Sequence, residues 1–243
     1  MYHDSVYPVS QTGSTGMAFE AGASGKNLTE WQFGMASLNP RWNVSGTYMQ
    51  VLPSFISTDQ DGNDEKEFLL DYFNELPDLL SMVFLKGYQW PFDVNKIFGG
   101  SSVIDLLVYQ ETVLKKRRVF LDYRVNPGNL EKDRDLPYAS MIPEAKEYLS
   151  QAGACFGTPI ERLKHMNEPA ILFYQDHHVD LFKERLEIAV CAQHNNGGLS
   201  TNHLWETNLS GLYAIGEVCA SHGVTRPGGT ALNAGQVGAV RAA

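Results

Sequence analysis

Residues 211–236, GLYAIGEVCASHGVTRPGGTALNAGQ, constrain this chain more than any other stretch. An apolar run ends on Glu217, a polar loop carries His222 and Arg226, and a glycine pair precedes a segment of small residues. From Thr230 onward, Ala231, Ala234, Gly235, Gly238, Ala239 and Ala242 recur at helical spacing, which predicts a helix whose Gly/Ala face presses closely against something large and flat. A helix beginning at Thr230 directs unsatisfied backbone N–H groups and a partial positive charge at whatever lies before it. Gly228 and Gly229 permit close backbone approach there, Arg226 adds a planar cationic fork, and Glu217 at a predicted strand end can accept hydroxyl hydrogens. Electron-rich rings and polyols suit such a site.

The composition narrows the partners. Lys and Arg number 19 against 28 Asp and Glu, a net charge of −9, which argues against a nucleic-acid footprint or attraction to anionic membranes. A small-molecule substrate is the expected partner. No apolar run approaches the roughly 18–20 residues of a membrane span, and MYHDSVYPVS lacks the basic and apolar sections of a signal peptide, so the chain reads as cytoplasmic with no membrane segment. Cys155, Cys191 and Cys219 show neither an even count nor a CxxC spacing; they read as buried thiols, with no metal site expected. The adjacent His177 and His178 would point apart and do not change this. The four tryptophans, Trp31, Trp42, Trp90 and Trp205, read as core residues.

Helical periodicity is predicted over 64–75, 102–116, 143–151 and 158–165, with Pro143 and Pro159 suited to first turns. A short small-residue helix, MAFEAGA, follows a glycine turn near the start. RRVFLDYRV at 117–125, AILFYQ at 170–175, LEIAVCAQ at 186–193 and GLYAIGEV at 211–218 read as strands, the last two as fully buried ones. The run Lys115–Arg118 suits the cation-favouring end of a helix. GASGKN lacks the first glycine of a P-loop.

The segment GLYAIGE followed by HGVTRPGGTAL resembles a family, the FAD-dependent oxidoreductases of the succinate dehydrogenase, fumarate reductase and L-aspartate oxidase type, whose pattern runs GLYAxGE...HGANRLGGNSL. The spacing from His222 through Arg226 to Leu232 matches without a gap. MAFEAGA resembles the family's MAYEAGA, Gln32-Phe33 its QF of QFHP, and Gly197-Gly198 its MGG turn. The resemblance covers both ends of the chain and is weak over the middle. It implies an α+β fold in which a capping domain of mixed helices and strands, 34–192, is inserted in an incomplete Rossmann-like FAD-binding domain made of 1–33 and 193–243. It implies FAD as cofactor, bound by Gly216, Glu217, Gly228, Gly229, Thr230, Ala231 and Leu232. Glu217 would take the ribityl hydroxyls, and the amides of Thr230, Ala231 and Leu232 would face the flavin pyrimidine edge. Arg226 would grip a substrate carboxylate, and the resemblance also implies an electron-transfer partner.

The departures are specific. Gly34 stands where the family has a substrate-binding histidine, and Gln193 where it has another, with His194 one step closer to the glycine turn. Residues 48–62 contain no arginine to match the family's proton donor in RGEG. Simple fumarate or succinate chemistry is therefore not expected, and His194 or His222 becomes the candidate proton donor. No GxGxxG occurs, and the family's lies upstream, so the chain reads as a segment of a longer flavoprotein, inactive alone. The expected function is hydride transfer between flavin N5 and a small, carboxylate-bearing substrate. The alternatives are a non-catalytic binding module that keeps the cap's fold, and a different flavin chemistry such as oxidation of an amine or hydroxy acid.

Overall fold

A computed structural model describes residues 13–128, 136–227 and 229–243; Gly228 lies outside the described residues. Along the chain the elements are α1 (Ser14–Glu20), β1 (Gly25–Lys26), β2 (Trp31–Leu38), β3 (Arg41–Asn43), α2 (Thr47–Gln50), β4 (Ser54–Thr58), α3 (Leu76–Tyr88) and α4 (Ser102–Tyr109). They continue as β5 (Arg118–Asp122), α5 (Pro143–Gln151), α6 (Pro159–Asp176), β6 (Leu186–Asn195), β7 (Gly198–Leu199) and α7 (Thr230–Ala242). The fold is α+β. A five-stranded sheet runs β3-β2-β6-β5-β4, and β1 pairs antiparallel with β7 in a separate ribbon.

The chain divides into two compact units, Gly34–Val190 and a second made of the residues up to Phe33 together with Cys191–Ala243. The first has a large apolar core in which Met35, Met49, Phe55, Leu80, Phe84, Tyr123 and Tyr174 are all buried. Pro143 and Pro159 each open a helix, where the missing proline N–H costs no hydrogen bond. At α6 a capping box completes the start: the Glu161 carboxylate accepts from the Thr158 amide at 2.8 Å. Arg162 is fully buried and donates to Val51 O, Tyr138 Oη, Phe156 O, Gly157 O and Asn126 Oδ1, which ties separate chain segments together.

Several elements differ from the sequence reading. AILFYQ is the second half of α6, not a strand. Asn167 leaves helical geometry two residues before Pro169, close to where a proline disfavours the helical conformation, and the helix then resumes with Ala170, Ile171 and Tyr174 buried at helical spacing. Tertiary packing overrides the β-propensity of this apolar run. The predicted helix over 64–75 is a single turn, Phe68–Asp71, and the long helix comes after it at α3, with Pro77 in its first turn. Over 102–116, α4 widens into a π-helical turn, Gln110–Leu114, and Lys115 caps that turn. GLYAIGEV is not a strand: it carries one isolated bridge at Tyr213 and a short 3-10 turn, Gly216–Val218, and only Ala214 of the eight is buried. Cys155 is exposed, unlike Cys191 and Cys219. None of the four tryptophans is fully buried, and Trp42 is about half exposed.

The second unit is small. Ala23, Leu199, Ala214 and Cys219 form its buried cluster, with Phe19, Trp205 and Leu212 packed around them. Close approach holds it together: a Cβ on Gly197 would lie 1.8 Å from Asn27 O, and one on Gly198 would lie 2.2 Å from Val218 O. Only glycine fits either position.

Candidate functional site

The site is built within the second unit by the end of β6, the Gly216–Val218 turn, the loop carrying His222 and Arg226, and the start of α7. Gly216 adopts φ +69°, and a Cβ there would lie 3.5 Å from Gly235 Cα, so small residues on both sides let the turn bearing Glu217 rest on α7. Gly229 precedes the helix with φ +78°, and no side chain caps the helix start; the Thr230 hydroxyl turns back to donate to Pro227 O at 2.7 Å. Trp205 lies over Gly238 further along α7. Within α7 only Gly238 is buried, and Leu232 and Val240 are about four-fifths exposed. The Gly/Ala face expected to be pressed against a flat partner is thus covered only in part among the described residues.

Glu217 organises the polar groups. Its Oε1 accepts from the Asn195 amide at 2.8 Å, and its Oε2 lies 3.2 Å from His194 Nδ1. His194 Nε2 in turn lies 2.7 Å from His222 Nδ1, with the ring centroids 4.7 Å apart. Burial, then the neighbouring His194 and Arg226, hold the His222 pKa below its usual value. Three of the residues named from the sequence, Glu217, His194 and His222, therefore form one chain of contacts, and Arg226 is close enough to act on it electrostatically.

Gln32 holds Arg226. Gln32 Nε2 donates to Arg226 O at 3.0 Å, and Arg226 Nη2 donates back to Gln32 Oε1 at 3.0 Å. Arg226 Nη1 donates to Pro227 O, while Nε is buried with no hydrogen-bond partner among the described residues. The sequence singles out Gln32 only as part of a motif; its role as the clamp on a residue 194 positions away has no local signal. Asn196, buried beside the histidines, donates to Val224 O and likewise escapes sequence reasoning.

These residues fit a flavin. The helix start has no side-chain cap, glycines leave room for a backbone to approach, and several buried polar atoms, among them His222 Nε2, Arg226 Nε, Asn195 Oδ1 and Asn196 Oδ1, have no hydrogen-bond partner among the described residues. Glu217 is about a third exposed at its side chain, and each carboxylate oxygen can accept two hydrogen bonds. Residues 125–232 match the family described as FAD binding domain. One chain of the CoM/CoB fumarate reductase of Methanothermobacter marburgensis is 39% identical over 80 residues, covering 32% of this chain and 15% of that protein. Over these stretches the chain is similar to FAD-binding flavoproteins of the fumarate reductase type. FAD is the cofactor that the match indicates. An uncharacterised FAD-dependent oxidoreductase of Methanocaldococcus jannaschii is 45% identical over 60 residues, 24% of this chain and 11% of that protein. The matched stretches thus span well under a fifth of the length of these relatives. Among solved structures, the FrdA chain of the E. coli quinol fumarate reductase, in a single-residue variant, is 20% identical with a TM-score of 0.43, covering 94% of this chain and 33% of that chain.

The first unit contains a separate charged hollow of about 540 Å³, lined by Glu65, Arg118, Arg124, Arg185 and Glu187 among others. Arg185 and Arg124 both donate to the buried Asp122, Arg185 also grips Glu65, and Arg118 grips Glu187 at 2.7 and 2.9 Å. These carboxylates neutralise the guanidinium groups that line the hollow. In the same unit, a Cβ on Gly34 would lie 2.4 Å from Trp90 Nε1, so the indole takes the space that a side chain at 34 would need. Among the described residues no cluster of His, Cys, Asp and Glu could hold a metal, and no helix is long and apolar enough to cross a membrane.

Proposed function

We propose that this chain is the flavin-contacting and substrate-covering part of an FAD-dependent oxidoreductase that moves hydride between flavin N5 and a small, carboxylate-bearing substrate. The observation that carries this reading is the cluster of Glu217, His194, His222 and Arg226 in one unit, beside an uncapped helix start, with buried donor and acceptor atoms lacking partners among the described residues. The flavin would supply the two-electron chemistry. Glu217 would accept from its ribityl hydroxyls, and Gly216, Gly228 and Gly229 would keep the approach clear. The amides of Thr230, Ala231 and Leu232 would donate to its pyrimidine edge with the favourable helix dipole behind them. Arg226, fixed by Gln32, would orient a substrate carboxylate, and His194 and His222 would hold or release a proton. An electron-transfer partner would accept or supply the electrons.

The test is Arg226→Ala in the flavin-loaded protein. Turnover with acidic substrates should fall by about a hundredfold or more while flavin content stays normal, as loss of a charge-assisted bond to the reacting molecule predicts; unchanged kinetics would remove the assignment. A second reading, a binding module without redox activity, is favoured by Trp90 occupying the space beside Gly34, where the resembling family has a substrate histidine. Stable flavin retention together with reducibility by substrate would exclude it.

A further inference from the structure

His222 and Arg226 stand on the segment 220–227, through which no helix or strand runs. Both side chains are nevertheless buried, 9% and 8% exposed, while Val224, midway between them, is 69% exposed. The segment is held by its main chain instead. At its start the Ala220 amide donates to Leu199 O at 3.0 Å. Further on, Asn196 Nδ2 donates to Val224 O at 2.7 Å, and Gln32 Nε2 donates to Arg226 O at 3.0 Å. Two side-chain amides therefore grip alternate carbonyls of a stretch that has no ladder of its own.

Asn196 is built to hold the loop rather than to follow it. It is 1% exposed, its own amide donates to Glu30 O at 3.0 Å, and the Gly197 amide donates to the same oxygen at 3.3 Å. Its side chain thus projects from fixed backbone. Two residues earlier, His194 Nε2 meets His222 Nδ1 at 2.7 Å, so the end of β6 engages the loop at His222 and again at Val224. Among the described residues no other hydrogen bond anchors 223–225. Removing the Asn196 donor would leave Val224 O without its partner and free the middle of the loop.

We infer that Asn196 is a positioning residue of this site: its bond to Val224 O fixes the path of the chain between His222 and Arg226, and through it the places of both side chains. Asn196 itself need touch neither cofactor nor substrate. The inference rests on the reading of Glu217, His194, His222 and Arg226 as the working cluster of a flavoprotein.

The test reads the His222 ring in the complete flavin-loaded protein, by NMR titration of histidine-labelled samples between about pH 5 and about pH 8. Flavin content is measured first, and the His222 signal is assigned from its loss in His222→Phe. In the parent, burial first, then His194 and Arg226, hold the His222 pKa down, opposed by Glu217 and the Asn195 backbone. A loop that slips exposes the ring and draws it away from those neighbours. In Asn196→Leu, which keeps the side chain's size and removes the donor, His222 should therefore titrate at higher pH than in the parent, toward its usual value. Ile188→Val trims the buried core of the other unit and should leave the titration where it is. An unmoved His222 titration in Asn196→Leu overturns the inference, as does an equal shift in Ile188→Val, which would mark a general loosening. Asn196→Ala decides in the same way if the leucine variant does not fold. A protein that holds no flavin overturns the flavin reading alone, since the histidine titrations decide the role of Asn196 with or without the cofactor.

Discussion

Replacing Gln32 by leucine tests the link between the two ends of the chain on which the site depends. Gln32 is 5% exposed and Arg226 8%, so neither group can turn to water when its partner is removed. The substitution deletes the bond from Gln32 Nε2 to Arg226 O and the bond from Arg226 Nη2 to Gln32 Oε1. The first is neutral and the second charged, worth about 0.5–1.5 and about 1.5–3 kcal/mol. The sum is a destabilisation of about 2–4.5 kcal/mol, or a fall in melting temperature of roughly 4–18 °C for a chain of this size. Gln32→Glu keeps an acceptor for Nη2 but sets a carboxylate oxygen against Arg226 O, so it should lose less than leucine does. Urea unfolding of the three proteins measures the order. If Gln32→Leu unfolds within about 0.5 kcal/mol of the parent, the range that ordinary surface changes span, the clamp does not exist and Arg226 has no fixed direction.

Other changes follow from the same contacts. Arg162→Met removes the donor shared by Val51 O, Phe156 O and Asn126 Oδ1; urea unfolding should show a loss of about 3–5 kcal/mol, offset in part by no longer burying a cation. Gly34→His places its Cβ 2.4 Å from the Trp90 indole nitrogen and should cost about 1–3 kcal/mol or more, whereas the same histidine in a Trp90→Ala background should cost much less, a coupling that a double-mutant cycle reads directly. His222, held below its ordinary pKa of 6.5 by burial, His194 and Arg226 and opposed by Glu217, binds fewer protons folded than unfolded. Its contribution is therefore present above the unfolded value and is lost as pH falls through the window beneath it. Urea midpoints between about pH 5 and about pH 7.5 should rise with pH, and part of that slope should vanish in His222→Phe.

Parts of this architecture are legible in the amino-acid order because they rest on short-range rules. Pro143, Pro159 and the small-residue repeat from Thr230 mark helix starts that the structure places at α5, α6 and α7, and the aromatic and β-branched runs of β5 and β6 are strands. Where tertiary packing decides, the reading failed. AILFYQ has strand-like residues but continues a helix across the Asn167 break, and GLYAIGEV is apolar because it lines a small cluster, not because it pairs as a strand. Glu217, His194, His222 and Arg226 could be nominated from their spacing to the glycines. The Gln32 clamp, the unpartnered Nε2 of His222 and the indole beside Gly34 could not, since each depends on contacts between residues far apart in the chain.

The most direct measurement is flavin binding by the protein expressed from its complete gene, with and without Glu217→Ala. Bound FAD should appear as visible absorption bands that stay with the protein through gel filtration, and the alanine variant should hold the cofactor about tenfold more weakly or worse, about 1.4 kcal/mol. A colourless protein that takes up no FAD on reconstitution, or a Glu217→Ala variant that binds it as tightly as the parent, would contradict the account.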